Sequence, residues 1–187
     1  MGPAASLPKD FATDEEVEDF LANVCTMSWH VEHDRGRSFE ENAALLKRQH
    51  PEWGSLIDQW GARYLEMSPG PVAGMVDLVE RLAARGVALH GLTNMPAPIL
   101  APLRAEFPHL GHLDEIVVSG DEGVIKPDRA IFDILLSRLG LPGDRLFFID
   151  DSMANVEAAR ASGLAAHHFT GAERLAAELI ELGLLDP

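Results

Sequence analysis

Short apolar runs alternate with amphipathic segments after residue 70, and this alternation restricts the fold more than any other feature of the chain. The apolar runs have the length of β-strands and cover residues 87–92, 115–119, 145–149 and 164–169. Several of the segments between them end at a glycine, as helices often do. Strands that alternate with helices predict a parallel sheet covered by helices on both faces. The expected fold class is therefore α/β.

The residues before this region predict helices only. Thr13 and Ser38 are each followed three residues later by glutamate, which is the spacing of a capping box at a helix start. A further helix is expected over residues 51–65, and a polar-aromatic cluster is expected at a corner between two helices: Trp29, His30, Asp34 and Arg35. The run Ser68-Pro69-Gly70-Pro71 then breaks the pattern. We predict three parts: a loose tail over 1–12, a helical subdomain over 13–67 and an α/β region over 68–187.

Charge and cysteine content exclude several classes of function. The chain has 187 residues, with 30 acidic and 15 basic side chains and a formal net charge of -15. Such a charge argues against nucleic acid or an anionic membrane as a partner. The single cysteine, Cys25, rules out an internal disulfide and a cysteine-based zinc site. A single cysteine also fits a reducing, cytoplasmic setting, which is the expected location. No apolar run has the length of a membrane span.

Two adjacent carboxylates follow the third apolar run. Asp150 and Asp151 come directly after Ile149, at the predicted carboxyl end of a buried strand. Adjacent carboxylates repel each other and are costly to desolvate, and a divalent cation relieves both effects. The alternative is a helix cap formed by Asp151 or Ser152. We interpret the pair as a candidate Mg²⁺ site.

Other polar residues lie at or near strand ends, where ligands bind in open α/β sheets. Thr93 and Asn94 close the first strand, and a hydroxyl with adjacent backbone N–H groups can hold a phosphoryl oxygen. Ser119 and Gly120 close the second strand. Lys126 can neutralise phosphate and carboxylate charge. Taken singly, each has an ordinary alternative as a turn residue or a solvated surface residue.

Together these motifs resemble the haloacid dehalogenase superfamily, in its branch with a small helical cap. The resemblance rests on their order: Leu92-Thr93-Asn94, then Ser119-Gly120 with Ile125-Lys126-Pro127, then Ile149-Asp150-Asp151-Ser152 with Asn155. It covers the chain from about Asp14 to Leu185 and is greatest to small sugar-phosphate phosphatases. It implies a Rossmann-like sheet, Mg²⁺ as cofactor and a small phosphorylated metabolite as substrate. The helical subdomain would be the cap.

The resemblance also implies roles for individual residues. Thr93 would bind the phosphoryl group, with Asn94, Ser119 and Gly120 as further substrate-binding residues. Lys126 would stabilise the nucleophile and the intermediate. Asp151 would be a direct Mg²⁺ ligand, and Asp150 would hold Lys126. Asn155 would support the site from one helical turn further on.

The first motif of that family is missing from this chain. Family members begin with a central strand that ends in Asp-x-Asp, whose first Asp attacks phosphorus and whose second is the acid and base. No Asp-x-Asp occurs in the sequence. The central strand is therefore expected to be absent, and the strands that would flank it are expected to have unpaired edges that favour self-association.

Three functions remain open at this point. The first is a Mg²⁺-dependent phosphatase scaffold, inactive as given because its nucleophile is missing. The second is a non-catalytic protein that uses the retained pocket for binding or the exposed sheet for association. The third is a 2-haloacid dehalogenase, a reaction that needs no metal, so the intact Asp150-Asp151 pair counts against it.

Overall fold

Four α-helices form the N-terminal part of the computed structural model, which describes residues 11, 13–68 and 70–186. They are α1 (Asp14–Asn23), α2 (Met27–Asp34), α3 (Phe39–Lys47) and α4 (Gly54–Gln59), with 3₁₀ turns at Pro51–Trp53 and Tyr64–Met67. No strand occurs between Asp14 and Met67. The predicted tail over 1–12 lies, apart from Phe11, outside the described residues. That the helical segment acts as a cap stays a prediction.

Side-chain caps start three of these helices. The Thr13 hydroxyl accepts a hydrogen bond from the Glu16 backbone, and the Thr26 hydroxyl accepts one from Trp29. Ser38 and Glu41 form a reciprocal capping box at the start of α3, as the sequence predicted. Each cap satisfies a backbone N–H that has no partner within its helix. Local residue chemistry therefore determines where these helices begin.

Two helix predictions in this part were wrong. Residues 51–65 do not form one helix, because Phe39 lies so close to Gly61 that a Cβ there would come within 2.7 Å of its ring. The required glycine weakens a helix. The second error concerns Trp29, His30 and Asp34, which lie on α2 rather than at a corner between helices. The buried residues of α2 are His33 and Asp34, so hydrophobic periodicity could not reveal this helix.

Short strands and helices alternate over the rest of the chain, as predicted. The elements in order are α5 (Met75–Ala84), β1 (Leu89–Thr93), α6 (Leu100–Glu106), β2 (Leu113–Val118), α7 (Ser119–Glu122), α8 (Arg129–Leu139), β3 (Phe147–Asp150), α9 (Met153–Ala161), β4 (Ala165–His168) and α10 (Ala172–Glu181). Additional 3₁₀ turns cover Ala97–Ile99, Pro108–His112 and Gly143–Arg145. No helix among the described residues is long and apolar enough to cross a bilayer.

The strands form two separate parallel pairs instead of one continuous sheet. β1 pairs with β2, with Thr93 opposite Val118, and β3 pairs with β4, with Asp150 opposite His168. Within the described chain, no ladder joins β1 to β3. The α/β class is confirmed, and the break in the sheet lies where the sequence resemblance implied a missing strand.

Helices on both faces hold the two strand pairs together. On one face, α8 and α9 form an apolar cluster around Ile131, Phe132 and Ala159, which includes Leu92 of β1 and Phe148 of β3. On the other face, α5 and α10 pack around Leu78, Leu175 and Leu179, against Leu89 and Phe147. Both clusters contact both strand pairs, so helix packing substitutes for the missing backbone ladder.

The helical part docks at the carboxyl end of β1 and β2. Phe39, Tyr64 and Leu65 pack against a cluster that contains Met95 and Val118. A Cβ on Gly36 would lie 2.9 Å from the Gly120 carbonyl oxygen, so the two chain segments touch at glycine. This contact puts the helical part beside the polar strand ends.

Candidate functional site

Lys126 connects the carboxyl ends of β1 and β3. Its Nζ atom donates hydrogen bonds to the Leu92 carbonyl oxygen and to Asp150 Oδ2, both at 2.7 Å. The side chains of Lys126 and Asp150 are 11% and 6% exposed. A buried ion pair of this kind is costly to form unless its geometry is good and its remaining lone pairs are satisfied. The structure thus brings together two residues that lie 24 positions apart in the chain.

Both carboxylate oxygens of Asp150 accept hydrogen bonds from neighbouring residues. Its Oδ1 atom accepts hydrogen bonds from the Ser152 backbone N–H and from Asn155 Nδ2, both at 2.9 Å. Burial alone would raise the pKa of Asp150, but the hydrogen bond and charge of Lys126, with the bonds from Ser152 and Asn155, outweigh it and lower that pKa. Asp150 is therefore an ionised anchor for Lys126, and Asn155 donates a hydrogen bond to it; that the two residues support a phosphate site stays a prediction.

Asn94 fixes the backbone of Lys126. Its Oδ1 accepts from the Lys126 N–H at 2.8 Å, and its Nδ2 donates to the Lys126 carbonyl oxygen at 3.0 Å. Because both ends of the amide are used, Asn94 positions the lysine loop. Thr93, one residue earlier, is the last residue of β1 and is partly exposed beside the Leu92 carbonyl that Lys126 contacts. A substrate contact through Thr93 or Asn94 stays a prediction.

Ser119 and Gly120 join the second strand to the loop after β1. The buried Ser119 hydroxyl accepts from the Met95 N–H at 3.0 Å and lies 3.4 Å from the Met95 carbonyl oxygen. A Cβ at Gly120 would come within 2.5 Å of the Ala97 nitrogen. The described contacts of both residues are structural, and substrate binding by Ser119 or Gly120 stays a prediction.

Asp151 is the carboxylate available at this end of β3. It is exposed, and its side chain has no hydrogen bond or ion pair to the part of the chain that the structure describes. The described residues contain no cluster of three or more His, Cys, Asp or Glu side chains suited to a metal ion. Mg²⁺ commonly binds through one or two carboxylates, with water and substrate phosphate as its other ligands. The free Asp151 carboxylate fits that mode, whereas both oxygens of Asp150 are occupied.

Sequence reasoning missed two residues that shape the site. The His168 ring donates from Nε2 to the Asp151 carbonyl oxygen at 3.0 Å. Gly36 was not identified, yet it allows the close approach to Gly120. Neither residue could be identified from its neighbours in the sequence, because both contacts depend on residues far away in the chain.

Comparison with known proteins places these features in a family. The family model for haloacid dehalogenase-like hydrolases matches residues 10–163. A sesquiterpene phosphatase of Aspergillus oryzae is 34% identical over 112 residues, which are 60% of this chain and 57% of that protein. A phosphoglycolate phosphatase of Yersinia pseudotuberculosis is 32% identical over 134 residues, 70% of this chain and 54% of that protein. The chain thus spans just over half the length of these curated relatives.

Solved structures show the same fold. A predicted hydrolase of this family from Porphyromonas gingivalis superposes with a TM-score of 0.72 at 19% identity, over 96% of this chain and 88% of that one. An enzyme of the family from Bacteroides thetaiotaomicron, in complex with magnesium and inorganic phosphate, superposes with a TM-score of 0.65 at 18% identity, over 88% and 84%. With the family model covering most of its length, the chain belongs to the haloacid dehalogenase-like hydrolase family.

Proposed function

We propose that this chain is the phosphoryl-binding scaffold of a Mg²⁺-dependent phosphatase that acts on a small phosphate monoester. The observation that carries the proposal is the position of the Lys126 ammonium group, held between the Leu92 carbonyl and Asp150 at the strand ends next to Thr93. The phosphatase relatives support the reaction class.

In this proposal some of the described residues contact the phosphate, and others hold the charged Lys126 side chain in place. Lys126 has three N–H donors, of which two are used within the described chain, so one remains for a phosphoryl oxygen or a reacting carboxylate. The Thr93 hydroxyl is the expected second donor to phosphate. Asn94, Asp150 and Asn155 would keep Lys126 in place while charge develops on the phosphoryl oxygens.

Mg²⁺ would bind at Asp151, with water and the substrate phosphate completing its shell. When bound, the ion supplies positive charge that stabilises the phosphoryl oxygens. His168 would hold the backbone of Asp151 from the neighbouring strand. The helical segment over 13–67 would close over the substrate as a cap, through its contact at Gly36 and Gly120.

The chain as given is expected to lack turnover. Both oxygens of Asp150 are hydrogen-bonded, so neither is free to attack phosphorus. The sequence also contains no Asp-x-Asp. A second candidate, a non-catalytic phosphate-binding protein of the same family, is favoured by these two observations. The 2-haloacid dehalogenase alternative rests on fold similarity alone.

Two measurements test the proposal. We expect no hydrolysis of an aryl phosphate with Mg²⁺ above background, and we expect Mg²⁺-dependent binding of inorganic phosphate by ³¹P NMR. Phosphate binding should weaken by roughly ten- to a hundredfold in Lys126→Met, because a charge-assisted hydrogen bond is lost. The matched control is Lys47→Met, in which an exposed ion pair with Asp58 is removed. Turnover that disappears in Asp151→Asn would contradict the expected inactivity, and absence of phosphate binding would contradict the scaffold itself.

The same features support proposals for the ligand, the partners and the location of the protein. We expect a small phosphorylated metabolite as ligand, no nucleic acid or membrane as partner, and self-association through the unpaired edges of β1 and β3. A cytoplasmic location is supported by the single cysteine, Cys25, which is buried and forms no disulfide within the chain.

A further inference from the structure

A small cavity inside the helical segment is walled largely by aromatic rings, and we call it the aromatic cavity. Its volume is about 80 Å³, roughly the space of two to three molecules of liquid water. Three aromatic side chains line it: Trp29, Phe39 and Trp60. All its lining residues lie between Trp29 and Gly61, so none belongs to the strand ends that hold Lys126 and Asp150.

The two indole rings of the aromatic cavity are fixed by hydrogen bonds to residues outside it. Trp29 donates its indole N–H to the Asn42 carbonyl oxygen, and Trp60 donates its indole N–H to His30 Nδ1, both at 3.2 Å. The two ring planes stand at 78° with centroids 5.3 Å apart, so they form a corner. Because both N–H groups are used elsewhere, the indoles offer the cavity ring carbon and π electrons instead of hydrogen-bond donors.

His33, the basic side chain in the wall, is uncharged at neutral pH. Its Nε2 accepts a hydrogen bond from Asn42 Nδ2 at 3.0 Å, and its Nδ1 lies 3.4 Å from the Arg37 carbonyl oxygen, to which it donates. Burial lowers the pKa of His33 to about 4. The wall therefore holds no positive charge that would repel a cation.

Carboxylates stand at the mouth of the aromatic cavity. Glu40 and Asp58 line it and are exposed to solvent. Lys47 pairs with Asp58 through Nζ and Oδ1 at 2.6 Å, whereas Glu40 has no ion pair among the described residues. Two carboxylates against one ammonium group leave the mouth with a net negative charge. The formal charge of the whole chain, -15, has the same sign and also attracts cations.

Ring faces and a negative mouth together define a cationic ligand. An aromatic face attracts a cation within about 6 Å of its centroid, and tryptophan does so most strongly. A primary ammonium group would lose hydrogen bonds to water that the aromatic walls could not replace. A quaternary ammonium ion has no N–H group to satisfy, and its methyl groups fit a compact apolar space. The walls therefore favour a quaternary ammonium ion over a lysine-like one.

We propose that the aromatic cavity binds a small quaternary ammonium ion of the choline type. The methylated head group lies in the corner between Trp29 and Trp60, and Glu40 supplies the opposing charge at the mouth. Binding at this cavity does not depend on the proposed phosphatase activity, because none of the residues assigned to phosphate or Mg²⁺ lines it.

The test compares choline with its uncharged isostere on the full chain. In the isostere, dimethylbutanol, a carbon atom replaces the nitrogen, so the two ligands share a shape and differ in charge. We expect saturable binding of choline, seen as a ring-current shift of its methyl protons and a change in tryptophan fluorescence. The isostere should bind roughly tenfold more weakly or worse. Equal affinities, or no saturable binding of choline, would overturn the proposal.

Variants of the chain locate the binding site. Trp29→Leu removes one wall and should weaken choline binding by roughly tenfold, whereas Trp53→Phe, outside the cavity, should leave it unchanged. Glu40→Gln should weaken binding by roughly two- to threefold, and Glu18→Gln, at an exposed position on α1, should not. Undiminished binding by a folded Trp29→Leu protein would overturn the proposal. If that variant does not fold by circular dichroism, the comparison of choline with its isostere on the parent chain decides the outcome.

Discussion

At the scale of single residues, the Lys126–Asp150 pair should contribute strongly to stability and only as a pair. Lys126→Met leaves Asp150 buried without its counter-charge, so we expect a loss of about 3–5 kcal/mol in the free energy of unfolding. The double variant Lys126→Met/Asp150→Asn removes both charges and should lose less than the sum of the two single variants. Denaturant unfolding of all four proteins measures the coupling, and strict additivity would contradict it.

A second residue-scale prediction concerns Asp34, whose Oδ1 atom is buried without a partner among the described residues. Burial raises the pKa of Asp34 from 3.8 to about 6, so the folded state holds a proton there that the unfolded state has released. This group therefore costs stability increasingly as pH rises from about 4 to 6. Asp34→Asn should be more stable than the parent chain at pH 7, by at most about 3 kcal/mol.

Measurements across pH separate this effect from the titration of other groups. Burial also lowers the pKa of the neighbouring His33 to about 4, which reduces stability as pH falls, but that contribution is common to both proteins. The difference between Asp34→Asn and the parent should thus vanish near pH 4. Glu18→Gln, at an exposed position on α1, is the control and should show no such trend. A stability loss for Asp34→Asn at every pH would contradict the prediction.

At the scale of elements, the turn after β1 depends on close packing against the start of α7. Gly120→Ala would place a Cβ 2.5 Å from the Ala97 nitrogen and 2.8 Å from the Met95 carbonyl oxygen. Neither backbone atom can move freely, so we expect a loss of about 1–3 kcal/mol. Gly111→Ala is the matched control, because nothing lies within 4 Å of its added Cβ. Equal melting temperatures for the two variants would contradict this packing.

At the scale of the whole molecule, the divided sheet should make the chain prone to associate. The edges of β1 and β3 that are not paired with β2 or β4 have no strand partner among the described residues, and such edges recruit other strands. We expect light scattering to rise with protein concentration, and a fused segment of about a dozen residues with one apolar strand and Asp-x-Asp to raise the melting temperature. A monomeric short chain as stable as the fused protein would show that helix packing alone closes the gap.

The amino-acid sequence by itself determined the features that depend on neighbours close in the chain. The capping box at Ser38, the ending of helices at a glycine, as α8 does at Gly140, and the order of strands and helices were predicted. Caps, left-handed glycines and apolar periodicity act over only a few residues. The pairing of Lys126 with Asp150 was also predicted, although only through resemblance to a family.

Only the tertiary structure decided which surfaces meet. It assigned Asn94 to the Lys126 backbone and Ser119 to Met95, it buried Asp34 on a helix that has no apolar stripe, and it divided the sheet between β1 and β3. These outcomes could not be predicted from local pattern, because a polar side chain at a strand end fits a ligand or a backbone partner equally well. The choice is made by residues far away in the sequence that packing brings alongside.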